Sequence, residues 1–131
     1  MKNNFDVDVN YYKNAVKKAC IDTLEDSATI AVAETQLRTP VKTGALRRSM
    51  THSDVNELNM SVDIGSALSY AKFVEEGYTH KYGKHIDGRW MIRDGITVAD
   101  NEMPKILREK LKERFWKWWS IVQSFMLLEN L

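Results

Sequence analysis

Three residues in one short stretch could hold a metal ion. His80, His85 and Asp87 offer two imidazoles and a carboxylate within eight positions. A zinc site needs a further ligand at a matching spacing, and none follows. With Lys81, Tyr82 and Lys84 as neighbours, the segment reads as an exposed loop that is solvated or touches a partner. The other reactive side chains are equally isolated. Cys20 falls on an apolar stripe, where a thiol is a small packing residue rather than a nucleophile. Glu75 and Glu76 are adjacent, so on a helix they point about 100° apart and do not form a working carboxylate pair. There is no nucleophile elbow and no phosphate-cradling Gly-rich loop. Neither an enzyme nor a cofactor is expected.

The unusual composition lies elsewhere. Residues 109–119 read Glu-Lys-Leu-Lys-Glu-Arg-Phe-Trp-Lys-Trp-Trp, which holds three of the four tryptophans. Trp116 and Trp119 add apolar surface away from the Leu107–Leu111–Trp118 line, and residues 121–128 are apolar nearly all round. A helix apolar on several sides must bury several sides. In a chain this short, Trp116, Trp118, Trp119 and Phe125 are therefore expected at a subunit or partner interface, where tryptophan is enriched. The neighbouring glutamates offset the lysines and weaken a membrane-surface reading.

The elements that would carry these residues follow from periodicity. Val9, Tyr12, Val16, Cys20, Leu24, Ala28 and Ala31 recur every three or four residues, which predicts one long helix over residues 8–38 with this as its buried face. Ile30, Ala33 and Leu37 form a second stripe, and Asp6, Asp8 and Asn10 are candidate caps. Pro40 stops the helix. Thr43 and Gly44 predict a turn, with a single helical turn after it. Leu58, Met60, Val62 and Ile64 alternate with polar residues, predicting a strand paired with residues 48–55 through a turn at Asn56-Glu57. Residues 68–76 have short-helix character capped by Gly77, and 78–88 read as a loop, mobile until a partner orders it. A long C-terminal helix follows from Ile92, with Gly95 and Pro104 as weak points and a kink or fresh start near Asp100. The expected fold is α+β: long N-terminal helix, small antiparallel sheet with a β-hairpin, short helix, long C-terminal helix. Residues 1–131 form one domain in this reading, with 112–131 a Trp-rich helical extension.

With 19 Lys and Arg against 18 Asp and Glu, the 131-residue chain carries a net charge of +1. That balance argues against a protein that coats nucleic acid. One cysteine cannot form an internal disulfide, and no apolar run is long enough for a signal peptide core or a membrane span. Synthesis in a reducing intracellular compartment is the expectation.

Two segments resemble one family. Pro40-Val41-Lys42-Thr43-Gly44-Ala45-Leu46-Arg47-Arg48-Ser49 resembles the signature of a tailed-bacteriophage morphogenesis family, the head–tail joining proteins also called neck, tail-completion or tail-terminator proteins. Asp63-Ile64-Gly65-Ser66, followed by Tyr70-Ala71-Lys72-Phe73-Val74-Glu75-Glu76-Gly77, is similar to a second block of that family. The similarity spans residues 8–111. The chain departs from the pattern at Gly77-Tyr78-Thr79 and at Gly88-Arg89-Trp90-Met91-Ile92, and the segment from Phe115 onward has no counterpart.

The resemblance implies a structural protein without an active site or cofactor. It implies a ring of six subunits in the virion, between a head-closure protein and the tail-tube protein, through which the genome passes without tight binding. It assigns structural roles to Pro40, Thr43, Gly44, Leu46, Arg47, Ser49, Gly65, Tyr70, Ala71, Val74, Glu75 and Gly77. Leu46, Tyr70 and Val74 would anchor to the core, Gly65 and Gly77 would take backbone geometry closed to other residues, and Arg47, Arg48 and Glu75 are candidates for salt bridges within or between subunits. His80, Lys81, Tyr82, Lys84 and His85 would form a partner-contacting loop. Two alternatives remain: another minor capsid or tail protein of the same fold, or a small nucleic-acid-binding module using Lys81, Lys84, Lys112 and Trp118.

Overall fold

The computed structural model describes residues 4–42 and 44–129, with side chains at 9–42, 44–116, 120, 123, 124 and 127. Thr43, Trp118, Trp119 and Phe125 fall outside the described side chains. The framework is a pair of long helices, α1 (Asn4–Arg38) and α4 (Met91–Glu129), packed against each other. Between them the chain forms α2 (Ala45–Ser49), β1 (Thr51–His52), β2 (Ile64–Gly65), α3 (Ala71–Glu76), β3 (Gly77–Thr79) and β4 (His85–Asp87). This is the expected order of a mixed α+β chain, mostly helical.

Cross-helix contacts show that the pair is antiparallel. Arg114 Nη2 donates to Asp22 Oδ2 at 2.6 Å, and one turn along Lys110 Nζ meets Asp26 Oδ2 at 3.1 Å. The Tyr12 and Phe115 rings lie 5.5 Å apart further out. At 1.5 Å per residue, α1 is about 52 Å long. The intervening residues gather where α1 ends and α4 begins. There Leu46, Met50, Ala71 and Met91 form a small core, with Val32, Leu68, Val74 and Ile92 packed on it.

The buried face of α1 matches the predicted stripe only in its second half, where Ala28 and Ala31 are buried and Cys20 and Leu24 half-buried. Ala19, Thr23, Ser27, Ala31 and Thr35, each four residues from the last, are buried, along with Ala28. Val9, Tyr12 and Val16 are exposed, and Leu37 and Ala33 of the second stripe are exposed as well. The reason is size. The facing helix presents Met91, Gly95 and Ala99, also four apart, and small residues on both sides let the backbones approach. A Cβ at Gly95 would lie 2.9 Å from both Ala31 O and Thr35 N, so Gly95 is the point of closest approach rather than a weak point. Thr23 Oγ1 and Thr39 Oγ1 reach back to Ala19 O and Thr35 O at 2.7 Å, which lets hydroxyls sit in an otherwise dry seam.

Four further expectations need correction. Helix α1 starts at Asn4, so Asp6, Asp8 and Asn10 lie within it and do not cap it. Helix α4 runs through Pro104 without a fresh start near Asp100, because Met103, Ile106 and Leu107 are held half-buried beside it. The predicted strand at 58–64 shrinks to Ile64–Gly65, paired antiparallel with Thr51–His52 in the register Thr51↔Gly65 and His52↔Ile64. The alternation fails because residues 57–60 form the turn itself, with Met60 at φ 50° and Asn56 bridged to Ser61. Finally, 78–88 is a hairpin in the single chain: β3 pairs antiparallel with β4, matching Gly77↔Asp87, Tyr78↔Ile86 and Thr79↔His85.

The chain exposes 10110 Å². A compact monomer of its mass, 15.2 kDa, would expose about 7100 Å².

Candidate assembly interface

The two sequence blocks meet, and their polar groups are spent on joining the elements. Ser49 Oγ accepts or donates a 2.6 Å hydrogen bond with Ser66 Oγ, which also accepts from the Leu68 N–H at 3.1 Å. Leu46 is buried and Val74 packs on the core. Among the described residues Arg47 makes no ion pair within the chain; its Nη2 donates to Thr39 O at 3.0 Å, and Gln36 Nε2 donates to Arg47 O at 3.2 Å. The first bond satisfies a carbonyl just past the end of α1, and the second ties α1 to Arg47 O of α2, which also accepts from the Met50 N–H. Gly44 adopts φ 78° as the cap residue of α2, while Pro40 and Arg48 are exposed.

Glu75 has a role the sequence did not suggest. Its Oε2 accepts from the Ile92 N–H at 2.9 Å and its Oε1 from the Arg93 N–H at 3.0 Å. The residue before α4 is Trp90, which has no side-chain oxygen to cap the helix. Glu75 supplies the cap from 17 residues upstream, and its charge suits the positive end of the helix dipole. Arg89 N and Trp90 N donate to Val74 O and Glu75 O at 2.8 and 3.0 Å, which fixes the approach. Trp90 itself does not pack in the core; it is exposed, with the Arg93 guanidinium 4.7 Å from its ring centroid.

Two more assignments change. Tyr70 is exposed and does not anchor α3; Ala71 and Leu68 do. Gly65 has an ordinary φ and open space around it, so a side chain would fit there. Gly77 does need to be glycine: φ is 84°, and a Cβ would lie 2.6 Å from Gly88 N.

The β3–β4 hairpin has two unlike faces. Tyr78 and Ile86 stand opposite each other, and the Phe73 ring meets Tyr78 edge-on at 6.0 Å. All three are exposed. On the other face His85 Nε2 lies 3.3 Å from Asp87 Oδ1 and Nδ1 lies 3.2 Å from Thr79 Oγ1. At the tip the His80 ring stacks on Tyr82 at 5.5 Å with Lys81 Nζ 5.1 Å from the same ring. His80 and His85 are thus engaged separately, and no group of three or more metal-ligating residues occurs among the described residues.

Other large apolar residues also face solvent. Val9, Tyr11, Val16 and Trp116 lie toward the far end of the helix pair, Trp116 being 58% exposed and Val16 43%. Leu58, at the turn between β1 and β2, is 99% exposed. Beside the far end, Asp26 raises the pKa of Lys110 through its hydrogen bond and its charge. No helix among the described residues is long and apolar enough to cross a membrane.

Comparison with known proteins identifies this arrangement. Residues 5–77 match the family described as "Bacteriophage HK97-gp10, putative tail-component". The match takes in 73 of 131 residues, from α1 through Gly77, and stops before β4 and α4. No curated protein and no solved structure matches the chain. The matched stretch contains both sequence blocks and the Glu75 cap that ties them to α4, and the chain belongs to the HK97-gp10-like family of bacteriophage tail components.

Proposed function

We propose that this chain is the subunit of a structural ring at the head–tail junction, of the tail-completion or tail-terminator type, which joins the head-closure complex to the tail tube. Family membership supports a phage tail component, and so a place in the virion. The observation that carries the finer reading is the surplus surface. The chain exposes roughly 3000 Å² more than a compact monomer would, and large apolar residues are part of it.

In this proposal each chain is one working unit, with 112–131 as a helical extension that contacts neighbours through Trp116, Trp118, Trp119 and Phe125. Six copies close a ring, since head-to-tail contacts that close on rotation generate rings. One face binds the head-closure protein and the other the tail-tube protein, and no catalysis or cofactor is involved. The net charge of +1 suits a lumen through which the genome slides, because tight duplex binding rests on neutralising many phosphates.

A phage with a nonsense mutation in this gene tests the proposal. The expected result is DNA-filled heads and finished tails that fail to join. Joined particles lacking the protein would contradict it.

A further inference from the structure

Two projections of this chain are complementary to each other and lie apart on the molecule. The first is the turn between β1 and β2. Leu58 stands at its tip, 99% exposed, where a turn ordinarily carries a polar residue. Around it residues 53–63 hold Asp54, Glu57 and Asp63 and no Lys or Arg; Lys17 of α1 offsets Glu57 at 3.7 Å, so Asp54 and Asp63 carry the acidic character. The second is the β3–β4 hairpin. Phe73, Tyr78 and Ile86 make an exposed apolar plate, and exposed Lys72 beside Phe73 in sequence and Lys81 and Lys84 in the hairpin turn supply basic charge to these elements. The acidic groups nearby do not cancel this charge: Asp87 is opposite Gly77 on the polar face with His85, and Glu75 caps α4, which leaves Glu76. A lone two-stranded hairpin is marginal in water and gains from a further contact.

The projections are too far apart to meet within one chain. Glu57 Oε2 lies 3.7 Å from Lys17 Nζ, which places the acidic turn beside the middle of α1. The hairpin is tied to the start of α4, and Gly95 near that start packs on Thr35. Lys17 and Thr35 are 18 residues apart, about 27 Å along the helix.

We infer that the Leu58 turn of one copy docks on the Phe73–Tyr78–Ile86 plate of the next copy. The occupant is a second copy because the basic charge of the plate's elements and the turn's acidic flanks are opposite in sign, and the apolar tip matches the apolar plate. Two different patches make the contact heterologous, the kind that propagates around a ring. The inference rests on the ring reading above and adds which surface meets which.

Cross-linking in virions tests it. Phage carrying Leu58→Cys and Tyr78→Cys in a Cys20→Ser background are oxidised mildly and run without reductant. The expected result is a ladder of covalent multiples of this chain, absent when either new cysteine is present alone. Particles that contain the ring but give no ladder overturn the inference and leave the ring standing. Cross-linking of Leu58→Cys to a different virion protein overturns it too. Neck density without a ring of this chain would defeat the ring reading itself. A second test avoids cysteines. Asp54→Lys with Asp63→Lys in one chain, and Lys81→Glu with Lys84→Glu in another, should each lower the yield of infectious particles at least tenfold, and co-expression of the two should restore it. Failure of co-expression to restore yield, with both variants folded by circular dichroism, counts against the contact.

Discussion

Where α1 ends and α4 begins, side chains from separate elements are tied together, although Thr35 Oγ1 and Arg47 Nε stay buried without a hydrogen-bond partner. Arg47 reaches Thr39 O, Glu75 caps α4, Ser49 meets Ser66, and Gly95 brings the helix backbones together. Toward the far end, the same two helices keep Val9, Tyr11, Val16 and Trp116 in solvent and rely on rungs such as Arg114–Asp22. One region is packed and cross-braced within the chain, and the other leaves large apolar side chains in solvent. The family match, residues 5–77, runs along both regions of α1 and takes in the Ser49–Ser66 contact and Glu75. The contrast shows that the polar groups of the two sequence blocks are used to join elements within the chain, while large apolar side chains stay in solvent at the far end.

The contrast can be broken in graded steps. Gly95→Leu should cost about 3 kcal/mol, at the top of the usual overpacking range, since a side chain there meets backbone that cannot yield. Urea denaturation would measure it, and an unchanged midpoint would mean the helices are further apart than described. Glu75→Ala should lower stability by about 1–2 kcal/mol through the lost cap. Glu75→Gln should cost less, because one amide oxygen still accepts. Ser27→Ala should be neutral or stabilising by up to about 1 kcal/mol, because the buried Ser27 Oγ has no partner. The Lys110–Asp26 rung should show itself through pH. Its folded pKa is raised above the ordinary 10.5, so its stabilisation is whole below that pH and is lost as pH climbs through the raised value. Thermal melts of wild type and Asp26→Asn should therefore converge in strong alkali. The smallest effect on folding is expected at the far end. Trp116→Ala should shift the unfolding free energy by less than about 0.5 kcal/mol while reducing assembly.

Much of the framework was legible in the sequence because it depends on local signals. The period of α1, the stop at Pro40, the turn at Gly44 and the cap at Gly77 are each decided within a few residues. What was misread depends on a partner distant in sequence. The buried face of α1 could not be told from Val9, Tyr12 and Val16 alone, because Gly95 and Ala99 select the small residues instead. Glu75 looked like half of an ion pair because its real partners, the Ile92 and Arg93 N–H groups, are backbone and carry no sequence mark. A signal was present nonetheless: Trp90 opens a helix with no capping side chain of its own. The alternation at 58–64 misled because an exposed Leu58 imitates a strand residue.

Where this protein sits in the virion decides whether it forms the proposed ring. A cryo-electron microscopy map of the phage neck should show six copies closing a ring between the head-closure complex and the tail tube, with the Leu58 turn of each copy against the β3–β4 hairpin of the next. A neck with no density for this chain would contradict it.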